Sequence, residues 1–282
     1  MTDYTRTLPL GPATVSVINL GELRFSLAET LNVPESEWQP RYASAFEQPL
    51  LFPSQSIHIA LPGASVLVDA NNYAFSVTPD SPFLPPNYQP PPDLITQLLE
   101  RDIHPEDITH LVITHAHFDH YAGVTTEHDG QYLPSFPNAH CYLGGADWEN
   151  PGIQRALQNP NSANSRTLGV LHQRGLLELV EGNRDLLPGV RIITSPGESA
   201  GHQIVRVHLD GQTLYCLGDL YHHAVEVEQP TWMVEWANPE TNLASRHALT
   251  EAALAEAALL IPAHMPVGCL ERTASGVRWV NV

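Results

Sequence analysis

Six consecutive residues, His115-Ala116-His117-Phe118-Asp119-His120, bring three imidazoles and a carboxylate into one short stretch. From the chain's own 15 His and 12 Asp, roughly 0.002 copies of an H-x-H-x-D-H pattern are expected by chance, so accident is a poor explanation. The stretch follows residues 108–114 (ITHLVIT), apolar on both alternating faces as a strand buried inside a sandwich would be. The end of such a strand projects His115 and His117 to the same side. The turn after it brings Asp119 and His120 round to a second point. Imidazole and carboxylate without thiolate suit zinc and its neighbours.

Three further loops supply what a two-metal site would still lack: His202 in Ser195-Pro196-Gly197-Glu198-Ser199-Ala200-Gly201-His202, Asp219 in Leu217-Gly218-Asp219, and His264 in Pro262-Ala263-His264. Each lies at the end of a predicted strand. Tyr221, His222 and His223 follow Asp219, and at least one of them is expected to face the resulting cavity.

The elements that must carry these loops can be read from apolar alternation. Residues 13–20 and 56–61 read as strands before the first motif, 64–69 (ASVLVD) is a short apolar run ending in an acid, and 139–143, 177–181, 190–195, 203–209 and 213–217 read as strands after it. Asp93 caps a predicted short helix with Leu94, Ile95, Leu98 and Leu99 on one stripe, and a second helix is predicted around 162–175. Asn238 and Pro239 give a cap-plus-first-turn signal for a long helix to about Leu259, with strands at 260–263 and 276–280 after it. Fourteen of the 25 prolines lie in residues 1–92, seven of them between Pro79 and Pro92, so 79–92 reads as an extended connecting loop.

Composition narrows the chemistry. With 282 residues and 43% hydrophobic content the chain can bury a sizeable core, and a single domain over 1–282 is expected. All 13 basic residues are arginine, which removes a Walker A phosphate loop, a pyridoxal Schiff base and any lysine nucleophile. A net charge of −18 disfavours nucleic acid and anionic lipid as partners. Cys141, Cys216 and Cys269 match neither a zinc ribbon nor a disulfide framework. No secretory leader pattern or apolar span of about 18 residues occurs, so a cytoplasmic protein is expected.

Taken in order, the histidine and aspartate motifs resemble those of the metallo-β-lactamase fold superfamily across nearly the whole chain. Within it the sequence is similar to the lactonase and organophosphate or aryl-ester hydrolase branch, in which an acid takes the bridging position. The resemblance implies an α/β fold, a four-layer αββα sandwich. It assigns His115, His117 and His202 to one metal, Asp119, His120 and His264 to the second, and Asp219 to the bridge. Two divalent ions are implied, zinc first, with manganese, iron or cobalt as alternatives.

Departures from the family pattern refine this. Cys216 stands three residues before Asp219, so the bridge carries no thiolate and the cysteine-ligated β-lactamase class is disfavoured. The lactonase-like pattern often has a tyrosine three residues after the bridging aspartate. Here Tyr221 is at plus two and His222 at plus three, closer to the organophosphate-hydrolase side. Glutathione-thioester relatives carry a helical domain after the last histidine, whereas 18 residues follow His264 here.

The expected function is a binuclear hydrolase of a small-molecule neutral ester, a lactone first and an aryl or organophosphate ester second. A metal-bridging hydroxide would be the nucleophile, Asp119 a proton donor, and Tyr221 or His222 an oxyanion donor. A homodimer is left open. Two rivals stand beside this reading. Gly197-Glu198-Ser199-Ala200-Gly201 matches the G-x-S-x-G elbow of serine hydrolases, although the residues after it alternate like a strand. The other rival is a non-catalytic metal-binding protein. His58, His104, His110, His128, His140, His172, His208 and His247 lack such context and read as structural or solvated. Phe25, Trp38, Tyr42, Phe46 and Phe52 read as core by default, with a lid or a dimer arm as the alternative, and Trp232, Met233 and Trp236 as core, with an apolar pocket lining as the alternative.

Overall fold

Side-chain alternation along the strands sorts the chain into layers. The structure is a computed structural model that describes residues 4–31, 33–47, 49–72, 84 and 87–282. Its first sheet contains β1 (Thr5–Leu10), β2 (Ala13–Phe25), β3 (Leu50–Leu61), β4 (Ala64–Val68) and β5 (His110–Val112). A separate hairpin, β6 (Thr125–His128) with β7 (Gln131–Pro134), follows. β8 (His140–Gly144) and β9 (Leu177–Val180) then complete the seven-stranded order β1-β2-β3-β4-β5-β8-β9. The second sheet runs in sequence order through β10 (Arg184–Leu187), β11 (Val190–Thr194), β12 (Gln203–Leu209), β13 (Gln212–Gly218), β14 (Leu259–Pro262), β15 (Gly268–Thr273) and β16 (Gly276–Asn281).

Val15, Val17, Ile57, Ile59, Val66 and Val68 project from one face of the first sheet and pack against Val190, Ile192, Val205, Val207, Leu214 and Cys216 of the second. The opposite face of the first sheet, through Leu67, Leu111, Ile113 and Leu143, buries Leu94 and Leu98 of the helix Leu94–Leu99 and Leu168 and Leu171 of the helix Leu168–Gln173. The outer face of the second sheet, through Tyr215, Leu217 and Leu260, buries Leu249 and Ala253 of the helix Pro239–Glu256. Each helix hides one apolar stripe and each sheet two faces, which makes the αββα sandwich.

Several elements depart from the sequence expectation for identifiable reasons. The strand expected over 108–114 pairs only at His110–Val112. Beyond it the backbone N–H of Thr114 donates to the Asp69 carboxylate at 2.7 Å, a side chain taking the place of the ladder. The helix expected around 162–175 breaks at Thr167 (φ −120°, ψ −92°), whose hydroxyl donates to the carbonyl of Ala163. As expected, Asp93 and Asn238 cap their helices by accepting from the N–H groups of Thr96 and Thr241. Of the proline-rich stretch, 79–83 and 85–86 lie outside the described residues. Among the described residues no helix is long and apolar enough to cross a membrane.

Candidate metal centre

The strand ends of both sheets converge at one edge, where short loops aim seven polar side chains inward. Asp69, just past β4 in the left-handed region (φ 58°), accepts from Thr114 N and from the Thr114 hydroxyl. Its Oδ2 also lies 2.9 Å from His120 Nδ1, so the proton of that ring is held on Nδ1 and Nε2 turns toward the site. The short helix Phe118–Tyr121 carries Asp119 and His120 together. His264 is oriented in the same way, its Nδ1 donating to the Pro53 carbonyl at 2.9 Å. Gln55 donates to the carbonyls of Pro262 and Met265 and fixes that loop.

Asp147 joins the two ligand-bearing loops. Its carboxylate accepts from Ala116 N at 2.8 Å, from the Ser199 hydroxyl at 2.8 Å and from Gly201 N at 2.6 Å. These contacts also occupy Ser199: its hydroxyl points at a buried carboxylate, and β12 rather than a helix follows the loop. The geometry of a serine nucleophile is therefore missing, and the serine-hydrolase rival falls.

Asp219 follows Gly218, whose φ of +51° lies in the left-handed region. A Cβ on Gly218 would lie 2.7 Å from the Thr114 side chain and 2.9 Å from His202 Nε2, so only glycine lets β13 approach this closely. The two oxygens of Asp219 then face different partners. Oδ1 lies 3.3 Å from His120 Nε2 and 3.4 Å from His264 Nε2; Oδ2 lies 3.8 Å from His115 Nε2 and 3.3 Å from His222 Nε2.

Two donor sets result. His115, His117, Glu198 and Asp219 each offer a ligand atom within 4.8 Å of the others, and so do Asp119, His120 and His264. All of the sequence-expected ligands fall in these sets except His202. His202 packs its ring 5.3 Å from that of His115, donates from Nδ1 to the Ser195 carbonyl and turns Nε2 toward Asp219 N. Glu198 takes the fourth place in the first set. It was not singled out from the sequence, although an acid four residues before His202 in a glycine-rich loop was the available signal.

The polar atoms fit divalent cations. His115 Nε2, His120 Nε2, Glu198 Oε2 and Asp219 Oδ1 are buried and have no hydrogen-bond partner among the described residues, yet all face the same space. Burial pulls His264 down, but Asp219 and Asp119 outweigh it and raise it to about 10. His120 is likewise raised well above its usual range by Asp219, Asp119 and Asp69 against its burial. Burial pushes Asp119 upward, but His120 and His264 hold it at about 2, and Asp219 is held low by the same two rings. His115 is driven well below its usual range by burial and by the neighbouring rings of His120 and His117. Ionised carboxylates therefore face imidazoles that protons and metal ions compete for.

Residues 88–264 match the Metallo-beta-lactamase superfamily. The chain belongs to that superfamily. This metallo-beta-lactamase domain is similar to an N-acyl homoserine lactonase of Bacillus cereus, 27% identical over 126 residues, a stretch covering 44% of this chain and 43% of that protein. Its fold is that of the hydrolase AbOPH of the beta lactamase superfamily (TM-score 0.79, 15% identity, 100% of this chain and 98% of the other). It is equally that of AidC, a dizinc quorum-quenching lactonase (TM-score 0.79, 18% identity, 100% and 99%). An N-acyl homoserine lactone hydrolase with its product at the catalytic metal centre aligns at TM-score 0.64, 17% identity and 91% and 94% coverage.

A cavity of about 350 Å³ opens over the superfamily's metal edge, with Phe25, Phe52 and Trp236 as apolar wall and Asp119, His222 and His264 at its floor. The core reading is corrected for Trp236, which is exposed and lines the cavity, whereas Phe52 is core and cavity wall at once: it packs with Trp38, Phe46, Trp232 and Met233, and Phe25 packs against that cluster. Tyr221 is also corrected. It is buried, its hydroxyl faces Thr250 on the helix Pro239–Glu256 and the Arg246 guanidinium lies over its ring, so it cannot reach the cavity. His222 is the polar group after Asp219 that faces the cavity. Its backbone N–H and that of His223 both donate to Glu226 Oε2, and Glu226 pairs with Arg246.

Proposed function

We propose that this chain is a binuclear metal-dependent hydrolase of small neutral esters, with lactones as the substrate class. The observation that carries the reading is the division of Asp219, one oxygen toward the His120 and His264 rings and the other toward His115. That is what a carboxylate shared by two ions requires. Bound there, two divalent ions supply a water of lowered pKa and a Lewis acid for the scissile carbonyl. The relatives named as lactonases support lactones as the substrate.

The chain's own groups do the rest. Asp219 holds both donor sets in register, and Asp69 and the Pro53 carbonyl fix the rings of His120 and His264. Phe25, Phe52 and Trp236 seat an apolar acyl group and exclude water from the reacting bond. His222, whose Nε2 lies 3.3 Å from Asp219 Oδ2 at the cavity, is the side-chain donor toward the developing oxyanion. Asp119, more open than Asp219 and ionised, would first accept the proton released by the attacking water and then pass it to the departing alkoxide. Among the described residues no arginine lines the cavity. The second reading, an aryl-ester or phosphotriester hydrolase on the same site, is favoured by one observation: a histidine rather than a tyrosine is the cavity donor after the bridge.

The test is turnover of a panel of lactones, aryl esters and phosphotriesters by metal-analysed protein before and after chelation. Lactone turnover lost on chelation and restored by zinc, manganese or cobalt is the expected result. Full activity in metal-free protein overturns the metal reading, and faster phosphotriester than lactone turnover promotes the second.

A further inference from the structure

Glu198 is a full carboxylate at 2% exposure, and no arginine reaches it among the described residues. Burying such a charge without a cation costs several kcal/mol or more. Its surroundings are ordered around it nonetheless. The Trp236 indole N–H donates to Oε1 at 2.6 Å, which pins one oxygen and fixes the direction of the other. Oε2 has no hydrogen-bond partner among the described residues and lies 3.2 Å from His115 Nε2, while Oε1 lies 3.1 Å from His117 Nδ1.

Both rings belong to the first donor set, His115, His117, Glu198 and Asp219. A nitrogen that ligates a cation carries no proton, so its lone pair and a carboxylate oxygen little more than 3 Å away repel each other unless a cation lies between them. A cation shared by the carboxylate and the imidazoles relieves that repulsion.

We propose that Glu198, through Oε2, is a ligand of the first metal ion, and that this added carboxylate shifts the first site's preference from zinc toward manganese(II) or iron(II). The inference rests on the binuclear reading of the site. With Glu198 and Asp219 beside His115 and His117, the first set offers two carboxylates and the harder oxygen donors that suit manganese, and its two imidazoles plus carboxylates also suit iron(II). The second set, His120 and His264 with Asp119 and the shared Asp219, also has two imidazoles and two carboxylates, so the shift is read against a first site without Glu198 rather than against the second site. Trp236, 55% exposed and part of the cavity wall, becomes a positioning residue that aims the carboxylate.

The test compares wild type with Glu198→Gln, which keeps an acceptor for Trp236 at the same reach, and with Trp236→Phe, which releases Oε1 at an exposed ring. Manganese and zinc affinities are measured by competitive titration with metal analysis, and cobalt(II)-loaded protein is read by its visible absorption, whose intensity rises as coordination number falls. Glu198→Gln is expected to weaken manganese at one site by roughly ten- to a hundredfold, zinc by less, and to intensify the cobalt bands. Trp236→Phe should shift manganese affinity in the same direction by a smaller factor. Affinities and cobalt spectra unchanged within about twofold in a Glu198→Gln protein that melts like wild type overturn the proposal. If that variant does not fold, an unchanged manganese affinity in Trp236→Phe does so. His115→Ala separates the two levels: loss of one ion there, with Glu198→Gln unaffected, leaves the metal centre standing and removes only Glu198. Retention of both ions in His115→Ala overturns the centre itself.

Discussion

Glu226 and Arg246 form a buried ion pair beneath the metal edge, and the second oxygen of Glu226 accepts the backbone N–H groups of His222 and His223. Arg246, 1% exposed, spends its remaining donors on the carbonyls of Leu220, Pro230 and Trp232. The pair therefore ties the segment after Asp219 to the helix Pro239–Glu256 through backbone groups of that segment. Removing one member leaves a charge in the core, at a cost of about 3–5 kcal/mol. Glu226→Gln should lower the urea midpoint accordingly and reduce kcat through the displaced His222, with metal content retained. A midpoint within experimental error of wild type would contradict this role.

The placement of Tyr221 and His222 makes a paired prediction. Tyr221→Phe removes only a long 3.4 Å contact with Thr250 and should change kcat/KM for lactones by less than about threefold. His222→Gln removes the cavity donor and should lower kcat/KM for lactones by roughly ten- to a thousandfold at unchanged metal content. A phosphotriester with an activated leaving group asks less of such a donor and should lose less. Steady-state kinetics on both substrates decide it, and the reverse ranking of the two variants would return the donor role to Tyr221.

That reversal shows where the sequence was legible. The H-x-H-x-D-H run was readable because all its ligands lie within one local turn, and Asp93 and Asn238 because a cap involves residues three apart. Asp69, Asp147 and Glu198 were not, since what makes each of them matter is a partner brought near by pairing between distant strands or loops. Asp69 serves His120 from 51 residues away. Tyr221 and His222 are neighbours in sequence, and which of them faces the cavity is decided by Arg246 and Thr250, on a helix whose register the local sequence does not encode. The strands at 184–187 and 268–273 were missed for a related reason: they are short, only partly buried and defined by the partners β11 and β16 rather than by apolar alternation.

His58 lies outside the site and offers a prediction about stability. It is 2% exposed on β3, paired with the Ser65 hydroxyl at 2.7 Å, and burial lowers its pKa from 6.5 to about 4. The unfolded chain therefore binds more protons than the folded one between those values. The neutral ring's stabilisation is complete above pH 6.5 and is lost as pH falls toward 4, by at most about 3 kcal/mol. His58→Gln keeps a polar partner for Ser65 without a titrating group. Denaturant midpoints measured from pH 7 to pH 4 should fall less steeply for His58→Gln than for wild type, with ester hydrolysis at pH 7 unaffected. Parallel acid limbs would show that His58 is not the group responsible.

Asp219 carries the sharpest test of the shared centre, because its two oxygens serve different donor sets while every other ligand candidate serves one. Asp219→Ala should lower occupancy of both ions together and cut kcat by several orders of magnitude, whereas His264→Ala should empty the second set first and leave the first occupied at moderate metal concentration. Asp219→Asn adds a control for volume: it preserves the shape but withdraws the charge that raises the pKa values of His120 and His264. It should therefore bind metal more weakly than wild type yet better than Asp219→Ala. Metal analysis across a chelator series reads all three. Two ions retained with near-normal turnover in Asp219→Ala would show that the sets act as separate sites and that no bridge joins them.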